Sequence, residues 1–372
     1  MRKSLFAFLV SISNICISQT SIHSTSRLNF SYDSLNIASM VRPIKQENIF
    51  SDPVYNIWCG AVIKGKNSKY YMFYSRWPKV FGHFAWLPAS EIALAKADNP
   101  EGPYKHVKVI LEKRGSNFWD GVCTHNPAVV EFNGVYYLYY MGTTGQSHVN
   151  MPASMQDNNW WEYRNNQRIG VAFSEELEGK WTRLDKPILD VSADSLAFDA
   201  LMVSNPAVAV NEKGNVVLAY KQVAKKPGNI RGGKVRFGVA FANSLLGPFS
   251  KHSEPIFQNK DKDNPNIWMM AEDPFMWSSG GKFYAIVTDV VGVFSNNQAA
   301  LVLLSSWDGI NWKPTKYPSV VPHRLKFENG SLADDKLERP WLYFENAIPK
   351  VLFGALGFNK RSFSANVAIK LE

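Results

Sequence analysis

Cysteine is the scarcest signal in this chain. Of 372 residues three are cysteine: Cys16, Cys59 and Cys123. The two beyond the first 18 residues make no disulfide framework, so the fold has to rest on buried apolar surface, and buried free thiols are the favoured reading of both. A long apolar run is also missing after residue 18, which excludes a membrane-spanning helix downstream of it. No basic run or nucleic-acid motif concentrates the positive charge. The 41 Lys and Arg against 32 Asp and Glu give a formal +9, which reads as a solvated surface with a weak preference for acidic partners and not as a nucleic-acid-binding face. No metal-ligand spacing stands out, and no cofactor motif is present.

The first 18 residues, MRKSLFAFLVSISNICIS, do have a recognisable plan: a basic start, an apolar run and small residues near Ser18. That is the pattern of a secretory signal peptide, so the chain is expected to be exported, with residues 19–372 forming one domain. The residues before Cys16 lack the small side chains of a lipoprotein anchor.

Five related segments dominate the remainder: WCGAVIKGKNSKYYMFYS, HNPAVVEFNGVYYLYYMG, SNPAVAVNEKGNVVLAYK, EDPFMWSSGGKFYAIVTD and ERPWLYFENAIPKVLFGA. Each has a polar or tight-turning start, a strand, a Gly/Asn turn and an apolar strand. Their second positions, Cys59, Asn126, Asn205, Asp273 and Arg339, recur at steps of roughly 66 to 79 residues, which suits four-stranded blades with one long loop each. A second repeat, ADNPEGPY, SEELEGKW, ANSLLGPF and SSWDGINW, turns a third strand into a fourth. The pattern predicts an all-β, five-bladed β-propeller. Only three strands follow Arg339, so the last blade needs an outer strand from elsewhere, and RLNFSYDSL, around Asn29 to Leu35, is the segment expected to pair there and remove an exposed sheet edge.

In a propeller the residues just before each first strand gather at one mouth of the central channel, and the ends of the second strands return to the same face. Arg76 and Lys221 are therefore expected at that mouth. The long segments WPKVFGHFAWLPA, TTGQSHVNMPASMQDNNWWEYRNN and QVAKKPGNIRGGK overhang it, and their Trp, His, Asn and Arg content suggests a polar-aromatic pocket.

The five repeats, SWDGINW, the GPY and GPF turns and above all AEDPFMW resemble the five-bladed propeller glycosidases, the group that includes glycoside hydrolase families 32, 43, 62, 117 and 130. The resemblance spans nearly the whole chain after the leader, although its motifs are short. It implies a glycan substrate and a glycosidase, and it implies that Glu272, one residue ahead of the Asp273-Pro274 pair, is the general acid. Burial beside Asp273 would raise the proton affinity of such a carboxyl, as a donor to a glycosidic oxygen needs; a strand-entrance carboxylate bonding backbone amides is the structural alternative. The chain departs from the family pattern where an aspartate base and a tuning aspartate are expected, for Cys59, Asn126 and Asn205 stand there. Asp120 and Asp199, each six residues ahead of Asn126 and Asn205, are the replacement candidates, with turn-capping as the alternative for both. Asp52 in SDPVY lies one residue off that offset.

His125, Asn126, Asn205, Asp273, Glu338 and Arg339 suit sugar hydroxyls or a carboxylate, Arg339 by a bidentate fork. Trp58, Trp119 and the Trp160-Trp161 pair are candidates for stacking on a sugar face, although with twelve tryptophans most must serve packing. Three functions fit. The first is an exo-acting glycoside hydrolase releasing a terminal sugar, an acidic one among the candidates, with Glu272 as acid and Asp120 or Asp199 activating water. The second is a family-130-like phosphorylase, in which phosphate held by Arg76, His83, Lys221 and Arg339 replaces the base. The third is a non-catalytic glycan-binding propeller.

Overall fold

In the segment Tyr70-Tyr71-Met72-Phe73-Tyr74 every residue is buried, an unusual pattern for a strand that faces water on one side. The reason is that both faces of the sheet are covered. Tyr70, Met72 and Tyr74 pack with Tyr343, Val351 and Phe353 on one side, while Tyr71 and Phe73 pack with Val129, Leu138 and Tyr140 on the other. The same two-sided burial recurs in every repeat, and it defines a ring of sheets stacked face to face.

The computed structural model describes residues 31–372 apart from 260–261, 264–265, 323, 334–335 and 359–362, so the expected leader lies outside the described residues. It contains five four-stranded antiparallel sheets. Blade 1 comprises Tyr55–Lys64, Tyr70–Pro78, Glu91–Ala97 and Lys105–Leu111. Blade 2 comprises Cys123–Phe132, Val135–Thr143, Arg168–Ser174 and Thr182–Arg183. Blade 3 comprises Met202–Val210, Val216–Val223, Val235–Ala242 and Ser250–Lys251, and blade 4 comprises Ala271–Ser279, Lys282–Asp289, Ala300–Ser306 and Lys313–Ser319. Blade 5 takes Glu338–Glu345, Ile348–Phe358 and Phe363–Lys370, with Ile49–Phe50 as its outer strand. Each interface between neighbouring blades has its own apolar core, and a further cluster rich in tryptophan covers one mouth of the channel.

The ring closes through the N-terminal part of the chain, as the sequence suggests, but through another segment. Ile49 and Phe50 pair with Val367 and Asn366, and the Phe50 ring meets Tyr74 of blade 1 edge-on at 5.0 Å. Tyr32–Ser34 of the expected strand is a short 3₁₀ turn, while Asn29 and Phe30 lie outside the described residues. Tyr32 seals blades 4 and 5 instead. Its ring stands edge-on to Trp277 and Tyr284 at 5.4 and 5.0 Å, and its hydroxyl donates to the Ala347 carbonyl at 2.5 Å.

One local device positions the functional face. In every first strand the pairing register slips at the motif, between Trp58 and Ala61, His125 and Ala128, Ser204 and Ala207, Glu272 and Phe275, and Glu338 and Trp341. The residue at the slip has positive φ each time: 56° at Cys59, 55° at Asn126, 49° at Asn205, 52° at Asp273 and 56° at Arg339. These are β-bulges that turn one side chain toward the propeller axis. Asn and Asp tolerate the left-handed region better than most residues, and the proline that follows in four blades gives up no ladder hydrogen bond at a bulge. The x-Asn-Pro and x-Asp-Pro repeats are thus the sequence form of a fivefold bulge.

Candidate active site

The bulge residues form a ring of side chains across the channel. The Cys59 thiol donates to Asn126 Oδ1 at 3.2 Å, Asn126 Nδ2 donates to Asn205 Oδ1 at 2.7 Å, and Asn205 Nδ2 donates to Asp273 Oδ1 at 3.0 Å. Arg339 Nε meets Asp273 Oδ2 at 3.1 Å. Burial pushes the Cys59 thiol up to about 12, which keeps it protonated and able to donate. One carboxylate and one guanidinium carry the only formal charges in this ring, so a buried cluster that could not tolerate several aspartates is balanced.

Asp273 is also pushed up, to about 7, first by burial and then by the charges of Glu272 and Glu338, against the opposing pull of Arg339 and Lys221. A carboxyl that binds its proton more tightly folded than unfolded stabilises most below its unfolded pKa, and that contribution is lost as pH rises toward 7. Asp273→Asn is therefore expected to flatten the decline of Tm between about pH 4 and pH 7, whatever its absolute Tm. An unchanged slope in a series of thermal melts across that range would show that Asp273 does not control it.

Above the ring lies a cavity of about 330 Å³. Asn205, Asp273 and Arg339 line its base, and Trp58, His125, Lys221, Glu272 and Glu338 line it as well. The blade 1 loop contributes Phe84 and Trp86, and the blade 2 helix Asn158–Asn165 contributes Trp160, Trp161 and Arg164. These two loops lock together: Trp160 Nε1 donates to the Phe84 carbonyl at 2.8 Å, and its ring stands edge-on to Trp86 at 5.8 Å. His125 is held in place by Ser90 Oγ at 2.8 Å from Nδ1 and by the tilted ring of Trp86 at 5.1 Å. Burial and then the charge of Arg339 keep it neutral by lowering its pKa well below the ordinary value. Lys221 Nζ donates to Glu272 Oε1 at 2.6 Å.

Of the residues expected at the site, Glu272, Glu338, Asp273, Arg339, Asn205, His125, Lys221 and Trp58 meet in this one cavity. Asn126 lies just below, in the ring. Asp120 and Asp199 do not line the cavity. Asp120 is fully buried and takes Arg114 at 2.6 and 2.8 Å, Tyr140 at 2.7 Å and Arg183 at 3.3 Å. Asp199 is buried and salt-bridged to Lys251. Arg183 and Lys251 belong to the outer strands of blades 2 and 3, so the shared offset of the two aspartates reflects a repeated clamp between each blade's entry loop and its outer strand. Arg76 is corrected likewise: it is bound by Glu91 at 2.9 Å and lies over the Tyr55 ring at 4.4 Å, outside the cavity lining. Trp119 is a packing residue, stacked on Tyr140 at 5.7 Å against Gly142 and Gly170, where an added Cβ would meet the indole at 2.6 Å. Asp52 caps the turn before blade 1, accepting from Val54 and Tyr55 backbone N–H groups at 2.7 and 2.9 Å. Cys59 and Cys123 are both buried free thiols.

Sequence reasoning missed Phe84, Trp86, Arg164, Gln167 and Trp268 of the cavity wall. Their signal was only the tryptophan-rich, long-loop composition, which points to a face and not to single residues.

The architecture defines a class: the five-bladed propeller shared with glycoside hydrolases. A family 117 glycoside hydrolase produced by the marine bacterium Zobellia galactanivorans superposes with a TM-score of 0.57 at 17% identity, covering 89% of this chain and 89% of that one. A structure described as a glycoside hydrolase gives a TM-score of 0.62 at 15% identity over 91% of this chain and 93% of that one. The native arabinanase of Bacillus subtilis gives 0.51 at 16% identity over 87% and 95%. At these identities the likeness is one of fold. No protein-family model matches the chain, and no curated protein matches it.

Proposed function

We propose that this chain is a glycoside hydrolase that takes a terminal sugar from an oligosaccharide or polysaccharide, with Glu272 and Glu338 as its two working carboxylates. The observation that carries this reading is their equivalence. Each directly precedes the bulge residue of its blade, the blades are neighbours, and both side chains line one aromatic cavity. A pair of carboxylates in one sugar-sized cavity is what acid-base cleavage of a glycosidic bond requires. The cavity, about 330 Å³, is at the small end of ligand sites and favours one terminal residue over a long stretch of chain. Tryptophan walls supply apolar faces for a sugar ring.

The division of labour follows from Lys221. An ammonium 2.6 Å from Glu272 favours its carboxylate form, the form in which a base or nucleophile works. Glu338 is assigned the proton donor's role, since the pair needs one acid and one base. This exchanges the role that the family resemblance implies for Glu272. The phosphorylase reading is weaker, because Arg76, Lys221 and Arg339 of the expected phosphate set are each bound to a carboxylate. An exported hydrolase with the first 18 residues as its leader fits the same reading.

The test is a panel of oligosaccharides incubated with and without inorganic phosphate. Release of a free sugar, independent of phosphate, is the expected result. Release of a sugar 1-phosphate that rises with phosphate would overturn it, and glycan binding without turnover would make the chain a binding propeller.

A further inference from the structure

Arg164, in the last turn of the blade 2 helix, is 8% exposed and lines the cavity. Among the described residues only its Nη1 is hydrogen-bonded, to Asn165 Oδ1 at 3.1 Å and to the Arg231 carbonyl at 3.2 Å, and its guanidinium lies 5.7 Å from the Trp161 ring. Neither acceptor is charged. The other cations of the cavity are engaged, Lys221 with Glu272 and Arg339 with Asp273, whereas no carboxylate among the described residues pairs with Arg164. Burial alone acts on it, pulling its pKa down to about 10.

Gln167 stands three residues further on, is 2% exposed and lines the same cavity. Its Nε2 is buried without a hydrogen-bond partner among the described residues. A buried guanidinium without a counter-ion and a buried amide donor without an acceptor each cost folding free energy, and two such groups lining one cavity point to a site completed by a ligand.

We infer that the sugar entering this cavity carries an anionic group, a carboxylate or a sulfate ester, which accepts from the unbonded N–H groups of Arg164 and from the amide of Gln167. The planar fork of Arg164 matches either group by two parallel hydrogen bonds. Arg231, exposed and with its guanidinium 5.0 Å from the Trp161 ring, adds positive charge beside this wall of the cavity. The inference rests on the hydrolase reading for the word sugar, and binding rather than turnover tests it, so the two fail separately.

The full chain is titrated calorimetrically with matched disaccharides that are neutral, uronic or sulfated, and with inorganic phosphate alone. The uronic or the sulfated member is expected to bind about 10- to 100-fold more tightly than its neutral match, and whichever does so identifies the group. Arg164→Met is expected to abolish that preference without lowering Tm, since it removes an uncompensated buried charge. Should that variant fail to fold, Arg164→Lys, which keeps the charge but not the fork, and Gln167→Leu are each expected to narrow the preference several-fold, the latter with Tm unchanged or higher. Equal binding of neutral and anionic members, no binding of any anionic member at millimolar concentration, or a preference that survives in these variants would overturn the inference. So would tighter, Arg164-dependent binding of phosphate alone, which would assign the charge to a phosphate co-substrate. Anion-selective binding with no turnover keeps the inference and removes the hydrolase reading.

Discussion

Glu338→Gln is expected to lower kcat on natural glycosides by about 10² to 10⁴-fold while sparing activated aryl glycosides, and Glu272→Gln to lower it by a similar factor on both. The amide keeps the shape and volume of each side chain, so neither variant should lose its fold. The difference between substrates follows from what each carboxyl supplies. A leaving group with a low pKa departs without a proton, so loss of the donor is tolerated, whereas loss of the base or nucleophile is not. The pH profile divides in the same way: the wild type is expected to give a bell, with Glu272→Gln losing its acid limb and Glu338→Gln its alkaline limb. If Glu272→Gln is the variant that spares aryl glycosides, the roles are reversed and Glu272 is the acid that the family resemblance implies. Full activity in both variants would remove the pair from catalysis altogether.

The fold was legible because its signals are local. Short continuous apolar runs, Gly/Asn turns and the x-Asn-Pro or x-Asp-Pro bulge recur within short windows. The closing strand was not legible for the opposite reason. Ile49–Phe50 is two residues long and pairs with Val367 and Asn366 more than 300 positions away, where no local pattern reports it. The site was half legible. Positions fixed by the bulge, Glu272, Asp273, Glu338 and Arg339, came together as expected, because backbone geometry alone aims them. Whether an aspartate in an entry loop points toward the axis or away from it depends on distant partners, and Arg114, Arg183 and Lys251 pull Asp120 and Asp199 away. Arg164 was invisible for a related reason: a helix in a long loop gives no hint of which of its cations will be left without an acid.

Asp120 gives the sharpest contrast between a structural and a catalytic carboxylate. Its side chain has no solvent exposure and serves two guanidinium groups and the Tyr140 hydroxyl, joining the entry loop of blade 2 to its second and outer strands. Asp120→Asn would preserve the volume but leave Arg114 and Arg183 facing a neutral amide that also presents N–H donors to them. Breaking a buried ion pair from one side costs about 3–5 kcal/mol. The lower end applies here, because the two guanidinium side chains are 16% and 14% exposed and retain some hydration. A loss of about 3 kcal/mol in denaturant unfolding is therefore expected, and kcat per folded molecule should stay close to wild type, since Asp120 touches nothing in the cavity. Asp199→Asn should follow with a smaller loss, its ion-pair partner Lys251 being 24% exposed. The opposite result, a collapse of turnover in Asp120→Asn at unchanged stability, would return Asp120 to the role of base and remove Glu272 from it.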